Sequence, residues 1–203
     1  AMFTGIVTHK APVKDAEVSD GILRLTLMTQ DGFTNHLETG ASIAVNGVCL
    51  TVVAFDAHSV SFDVIDESLR LTNLAELEPT HLVNLERAAS FGDEIGGHLL
   101  SGHIQTQAKL AERHQTDGNV ELVLEFEPKW QKYVIAKGYI AVNGCSLTIG
   151  RVEPGTFSLH LIPETLRLTN LENAGPGTQF NIEFDHQTMT IVETVERVMA
   201  ARD

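Results

Sequence analysis

The chain has 203 residues, with 14 Lys and Arg against 27 Asp and Glu, and a formal net charge of −13. That balance excludes a binder of nucleic acid or anionic membrane, which needs clustered positive charge, and two cysteines cannot build a disulfide framework. A composition 43% hydrophobic and 20% charged is globular. No apolar run reaches the roughly 18 residues that cross a bilayer, and no basic-then-apolar leader opens the chain, so a cytoplasmic location is expected. Met2 is read as the native first residue.

Taken from the N-terminus, short β-type runs dominate. Residues 3–8 form the first, and residues 22–27 alternate, with Arg24 and Thr26 facing away from the leucines. A short helix is expected over 33–39. Ser42–Val45 and 50–55 flank the turn signal Asn46-Gly47. Runs at 60–65 and 82–86 follow. From residue 98 the pattern restarts, with runs at 100–106, 119–126, Tyr139–Val142, 147–152, 156–162 and Gln179–Phe184. Between them, Pro128 and Gly138 bracket an expected short helix. Six short strands in under 100 residues predict a small closed antiparallel barrel, because closure removes exposed edges. In the tail, Met189, Val192, Val195, Val198 and Met199 fall at helical spacing over 188–202. That stripe either packs on its own barrel or serves as an oligomer contact.

The restart is an internal duplication. Val45-Asn46-Gly47-Val48-Cys49-Leu50-Thr51 returns as Val142-Asn143-Gly144-Cys145-Ser146-Leu147-Thr148, and Glu67-Ser68-Leu69-Arg70-Leu71-Thr72-Asn73-Leu74 as Glu164-Thr165-Leu166-Arg167-Leu168-Thr169-Asn170-Leu171. Both pairs lie at one offset (142 − 45 = 97 and 164 − 67 = 97), and 25 of the 97 gapless pairs are identical. The expected organisation is a first barrel over 1–97, a second over 98–187 and a helix over 188–203. Two related copies imply two related sites used together.

The turn segments carry the candidate chemistry. Cys49 aligns with Ser146, and Val48 with Cys145, so strand alternation puts Cys145 on the opposite face, as a small core hydrophobe. His98 and His103 bracket a Gly-containing segment at a spacing of five, without the arrangement of a helical zinc site. Glu67 with Arg70, and Glu164 with Arg167, have ion-pair spacing. Asp185 ends the last strand. Dinucleotide, phosphate-loop, serine-hydrolase and paired-cysteine motifs are absent.

Taken together, Met2-Phe3-Thr4-Gly5-Ile6-Val7, Asn46-Gly47-Val48-Cys49-Leu50-Thr51, Gly96-Gly97-His98-Leu99-Leu100-Ser101-Gly102-His103 and Ile162-Pro163-Glu164-Thr165-Leu166 resemble the riboflavin synthases of the alpha-subunit type, over the whole chain. The resemblance implies an all-β fold of two tandem six-stranded Greek-key barrels plus a C-terminal helix. It implies dismutation of two molecules of 6,7-dimethyl-8-ribityllumazine, by transfer of four carbon atoms, to riboflavin and 5-amino-6-(ribitylamino)uracil. It also implies no metal or organic cofactor, and a homotrimer joined by that helix, with each active site between barrels of two subunits.

By the same resemblance, the first barrel binds through Thr4, Gly5, Ile6, Val7, Cys49, Leu50 and Thr51, and through Asp63, Val64, Ile65, Asp66, Glu67 and Ser68. The second binds through Gly102, His103, Ile104, Ser146, Leu147 and Thr148, and through His160, Leu161, Ile162, Pro163, Glu164 and Thr165. Lys137 is an additional binding group, without a counterpart because Gly40 aligns with it. Cys49 and Ser146 are assigned to orientation or nucleophile activation, His103 to proton transfer, and Lys137 and Thr148 to charge stabilisation. Phe3 is expected to stack on or close the site, and Asp185 to position His103. Members of the family often carry Asp where this chain has Asn143, so a mechanism needing a carboxylate there is not supported. The competing reading is a non-catalytic lumazine or flavin antenna. Relatives of that kind are expected to lack ligand groups in the second repeat, whereas this chain keeps Ser146, Thr148, Glu164 and Thr165.

Overall fold

The computed structural model describes residues 1–203. Strands β1 (His9–Ser19), β2 (Ile22–Met28), β3 (Ser42–Val45), β4 (Val48–Phe55), β5 (Ser59–Val64) and β6 (Leu82–Arg87) close one antiparallel barrel in the order β1-β2-β5-β4-β3-β6. Strands β7 (Thr106–Thr116), β8 (Asn119–Glu125), β9 (Tyr139–Val142), β10 (Cys145–Glu153), β11 (Thr156–Leu161) and β12 (Gln179–Phe184) close a second in the equivalent order. Within each, three hairpin-linked strands are followed around the barrel by the strand that precedes them, a Greek key. Short helices α1 (Asp66–Leu71) and α2 (Pro163–Leu168) follow the fifth strand of each copy, and α3 (His186–Ala200) ends the chain.

The inward residues follow period-2 alternation. Leu23, Leu25 and Leu27 of β2 point into the first barrel, as do Val60, Phe62 and Val64 of β5. Each barrel has its own apolar core. Cys145 lies in the second core, on the face opposite Ser146, as alternation requires.

Two expected strands are displaced. Residues 3–8 and 100–106 are not strands; only Phe3 and Leu100 pair, in an isolated bridge. The first strand of each barrel lies further on, at β1 and β7. The β1 run, with its charges and Pro12, hides its alternation. Pro12 pairs with Leu82 at the end of the β1–β6 ladder, where a missing N–H is tolerated. The helix expected over 33–39 is a series of turns, closed by bonds such as Phe33 N to Gln30 O and Leu37 N to Thr34 O. Its counterpart is one 3₁₀ segment over Pro128–Tyr133.

The freed segments instead cross between barrels. Val7 sits in the core of the second barrel, and Ile104 beside the core of the first. Phe3 is buried with Leu100, Ala44 and Ala141 between the two barrels. It packs the joint and lines neither cavity described below.

The joint itself is polar. The Asn46-Gly47 and Asn143-Gly144 turns meet back to back. A Cβ on Gly47 would lie 2.6 Å from Gly144 N, and one on Gly144 2.8 Å from Gly47 N, so neither position admits a side chain. Around them six asparagines bond across the pseudo-twofold axis. Asn84 Nδ2 donates to Asn143 O (2.9 Å), and Asn181 Nδ2 to Asn46 O (3.0 Å). Asn170 N donates to Asn84 Oδ1 (2.7 Å), and Asn73 N to Asn181 Oδ1 (2.8 Å). Asn143 Oδ1 accepts from Asn181 N while its Nδ2 donates to Asn170. Both ends of that amide are therefore used in the joint. A Lys10–Glu172 ion pair adds a further clasp between the copies.

Helix α3 starts at Asp185, whose carboxylate accepts from Thr188 N (3.2 Å) and Oγ1 (2.9 Å) as an N-cap. Met189 and Val192 pack on the second barrel. Tyr133 donates to Glu193 (2.6 Å) and Lys132 pairs with Glu196 (2.9 Å), holding the helix against its own barrel. Ile191, Val195, Val198 and Met199 remain exposed. One side of the stripe thus packs on its own barrel and the other is exposed.

Replacing Asn181 by Ala removes two donated bonds and one accepted bond, and leaves Asn46 O and Asn73 without those partners. A loss of about 2–3 kcal/mol is expected, read as a lower midpoint in urea denaturation.

Candidate active site

Each copy presents a cavity beside its Asn-Gly turn. On the first barrel a cavity of about 430 Å³ is lined by Cys49, Glu67, Ser68, Gly102 and His103, with Val48, Leu71, Thr72 and Ile104. On the second a cavity of about 480 Å³ is lined by Ser146, Thr148, His160, Ile162, Thr165 and Tyr139, with Gly96, Gly97, Leu147, Ile149 and Gly150. A third space of about 520 Å³ opens over the asparagine joint, but those asparagines already bond one another.

The two cavities are built by the same local rule. After the Asn-Gly turn, β4 turns Val48 and Leu50 inward and leaves Cys49 half-buried and Thr51 exposed; β10 turns Cys145 inward and leaves Ser146 half-buried and Thr148 exposed. Helices α1 and α2 wall the other side, bringing Ser68 and Thr165. The fifth strands contribute little to the first cavity: Asp63 is tied to Arg24 by two bonds, 2.5 and 3.2 Å, and its carboxyl is held below the usual range by that guanidinium.

The segments from the start of each copy lie on the opposite barrel from the one expected. Gly5 O accepts from Ser146 N (2.8 Å), and Gly102 O from Cys49 N (2.9 Å). A Cβ on Gly5 or Gly102 would lie 2.5 Å from the Cβ of Ser146 or Cys49 respectively. Residues 102–104 therefore complete the first cavity, and residues 5–7 approach the second. The positive φ at both glycines marks the bends that allow this.

His98 is the residue whose role the sequence left unassigned. Its Nδ1 lies 2.7 Å from Ser146 Oγ, its ring stacks on Tyr139 at 4.9 Å, and its Nε2 is buried without a partner. Burial pushes its pKa below the ordinary imidazole value, with a smaller opposing pull from Asp185. Ser146 thus faces a neutral imidazole able to accept its proton. No histidine bonds Cys49 in the same way, so only the second cavity has this pair. Nothing in the sequence spacing places His98 on Ser146.

His103 is exposed at the edge of the Cys49 cavity. Asp185 makes no hydrogen bond to it; the carboxylate caps α3, and its charge bears on His98. Cys145 is inert, its thiol pushed up to about 12 chiefly by burial. Of the two expected ion pairs, Glu164 binds Arg167 (2.6 Å), whereas Arg70 takes Asp66 (3.1 Å) rather than Glu67, leaving Glu67 on the cavity wall.

Lys137 is exposed and adopts a left-handed backbone, φ 68°, at a turn where Lys137 N donates to Ile149 O (2.8 Å). Its counterpart Gly40 makes the same bend, donating to Val52 O at φ 95°. A lysine where the aligned turn has glycine carries about 1–2 kcal/mol of strain.

Each of the tandem barrels thus carries one cavity with hydroxyl side chains in its wall. The lumazine binding domain model matches twice, over residues 4–88 and 101–185. Over its full length the chain is 45% identical to the riboflavin synthase of Escherichia coli K12, of which it covers 95%, and 40% identical to that of Chlamydia pneumoniae, with 98% of both chains covered. The crystal structure of LumP complexed with riboflavin superposes with a TM-score of 0.85 at 26% identity, over 91% of this chain and 100% of that one. The chain belongs to the riboflavin synthase family.

Two outcomes test this geometry. Turnover should fall as pH drops through the depressed His98 pKa, at some point below about 6.5, because protonation removes the acceptor facing Ser146; His98→Asn should lose that acid limb in a kcat–pH profile. Lys137→Gly should hold or slightly raise the melting temperature by relieving strain, while lowering kcat/KM at least about tenfold.

Proposed function

We propose that the chain converts two molecules of 6,7-dimethyl-8-ribityllumazine into riboflavin and 5-amino-6-(ribitylamino)uracil, at sites formed when the first barrel of one subunit faces the second barrel of another in a homotrimer. The observation that carries this reading is the pair of cavities, alike in hydroxyl lining but different in chemistry. They share no lining residue and belong to different barrels, which supports a reading in which the two rings meet between two chains. The exposed Ile191, Val195, Val198 and Met199 stripe on α3 supplies an apolar surface for that assembly.

The reaction moves four carbon atoms between identical molecules, so donor and acceptor need similar pockets with unequal catalytic groups. At the second cavity, His98 reaches Ser146 from behind the wall and takes its proton, Thr148 on the wall stabilises negative charge developing on the ring, and Lys137, outside that wall, is assigned the same task by the family resemblance. In the first, Cys49, Ser68 and Thr51 orient the partner ring, with His103 at the rim to move the proton of the reactive methyl group. Holding both rings in register replaces a bimolecular encounter, an advantage of up to about 7–11 kcal/mol in the best cases. The net charge of −13 leaves Lys137 as a local cation on an acidic protein, suited to an uncharged ribityl ligand held by hydroxyls and backbone groups.

A second reading, a lumazine antenna, is favoured by the likeness to LumP. Incubating the protein with 6,7-dimethyl-8-ribityllumazine separates the two. Catalytic appearance of riboflavin absorbance is expected; one tightly bound lumazine without turnover makes the antenna reading correct. Val195→Arg on the exposed stripe should lower the mass measured by sedimentation and reduce turnover at least about tenfold while ligand binding persists. Full activity in a monomeric variant overturns the intersubunit site.

A further inference from the structure

Neither cavity contains the two most deeply buried carboxylates in the molecule, and both lie one step behind them. Glu86 on β6 and Glu183 on β12 are 6% and 3% exposed, and no cation pairs with either. An unpaired buried carboxylate is costly unless several donors surround it. Here the donors come from the crossing segments. Glu86 Oε2 accepts from Thr4 N (2.8 Å) and Thr4 Oγ1 (2.8 Å), and its Oε1 from Gly5 N (3.0 Å). Glu183 Oε2 accepts from Ser101 N (2.8 Å) and Ser101 Oγ (3.2 Å), and its Oε1 from Gly102 N (2.9 Å).

Each held segment then turns its next carbonyl onto the other barrel. Gly5 O accepts from Ser146 N, and Gly102 O from Cys49 N. Phe3 and Leu100 exchange both backbone bonds at 2.9 Å, so the two segments are also zipped to each other, and His98 N donates to Thr4 O (3.0 Å). The path from Glu86 therefore ends at Ser146 and His98, on the second barrel. The path from Glu183 ends at Cys49 and His103, on the first.

We infer that Glu86 and Glu183 are positioning residues that act crosswise: the carboxylate rooted in each barrel sets the geometry of the nucleophile-bearing turn in the other. The inference rests on the reading that the Cys49 and Ser146 cavities hold the ligands. It does not rest on the reaction. Replacing either carboxylate by an amide keeps the size but turns a donor toward one of the three donors now bound, so that end of the crossing segment is released.

The difference between the two paths is testable at Cys49, which is half-buried, while Cys145 is fully buried and unreactive. The probe is 5,5′-dithiobis(2-nitrobenzoate) on the full-length protein. Glu183→Gln is expected to change the rate of Cys49 modification at least about threefold, and Glu86→Gln to leave it at the wild-type rate. Both variants are expected to lower kcat about tenfold or more, with a smaller change in KM and with circular dichroism matching the wild type. Equal thiol responses, a response to Glu86→Gln alone, or no response to either variant overturns the crossed assignment. Should a glutamine variant fail to fold, Ser101→Ala and Thr4→Val remove one bond from each cluster and are read in the same assay. The expected thiol pattern in a wild-type protein without turnover would sink the proposed function and leave this inference standing.

Discussion

Two barrels that meet through backbone turns, beside only a small apolar cluster, must satisfy every buried amide across the joint, and the rest of the molecule depends on that condition. The Asn-Gly turns touch back to back, so the backbone groups of both come out of water together. Six asparagines then supply donors and acceptors in matched pairs, each side chain reaching into the other copy. A half-satisfied network of this kind would be worse than none. The complete one holds the two copies in a single orientation, and the crossing segments, the cavities and the carboxylates behind them all take their places from it.

Most of this architecture was legible in the residues. The single offset gave two copies, turn signals and alternation gave the strand count, and the position of Cys145 beside Ser146 gave the buried face. What was not legible arises from contacts distant in sequence. Residues 3–8 and 100–106 carry the pattern of strands, yet residues 5–7 and 102–104 within them are drawn onto the opposite barrel, and no local signal reports that. The same contact moves Gly102, His103 and Ile104 to the Cys49 cavity. Phe3 and Asp185, both given site roles by resemblance, turn out to pack the joint and to cap α3. His98 gained its role from a neighbour 48 residues away.

Glycine and lysine at one aligned turn show how the copies diverged. Gly40 takes a left-handed bend at no steric cost; Lys137 takes the same bend against its preference. The first copy shows the geometry the fold requires, and the second shows what side chain has been placed upon it. Together with His98, which faces Ser146, this makes the surroundings of two nearly congruent cavities chemically unequal. Unequal cavities suit a reaction in which identical molecules take different parts.

The asparagine joint also divides the chain by how freely each residue can be altered. Asn46 and Asn143, Gly47 and Gly144, Asn73 and Asn170, Asn84 and Asn181, and Glu86 and Glu183 are identical between copies. In the cavity walls, Cys49 and Ser146, and Ser68 and Thr165, are not. A cavity side chain makes its contacts within one wall. A joint asparagine serves both copies at once, so one substitution there breaks bonds on both sides of the axis.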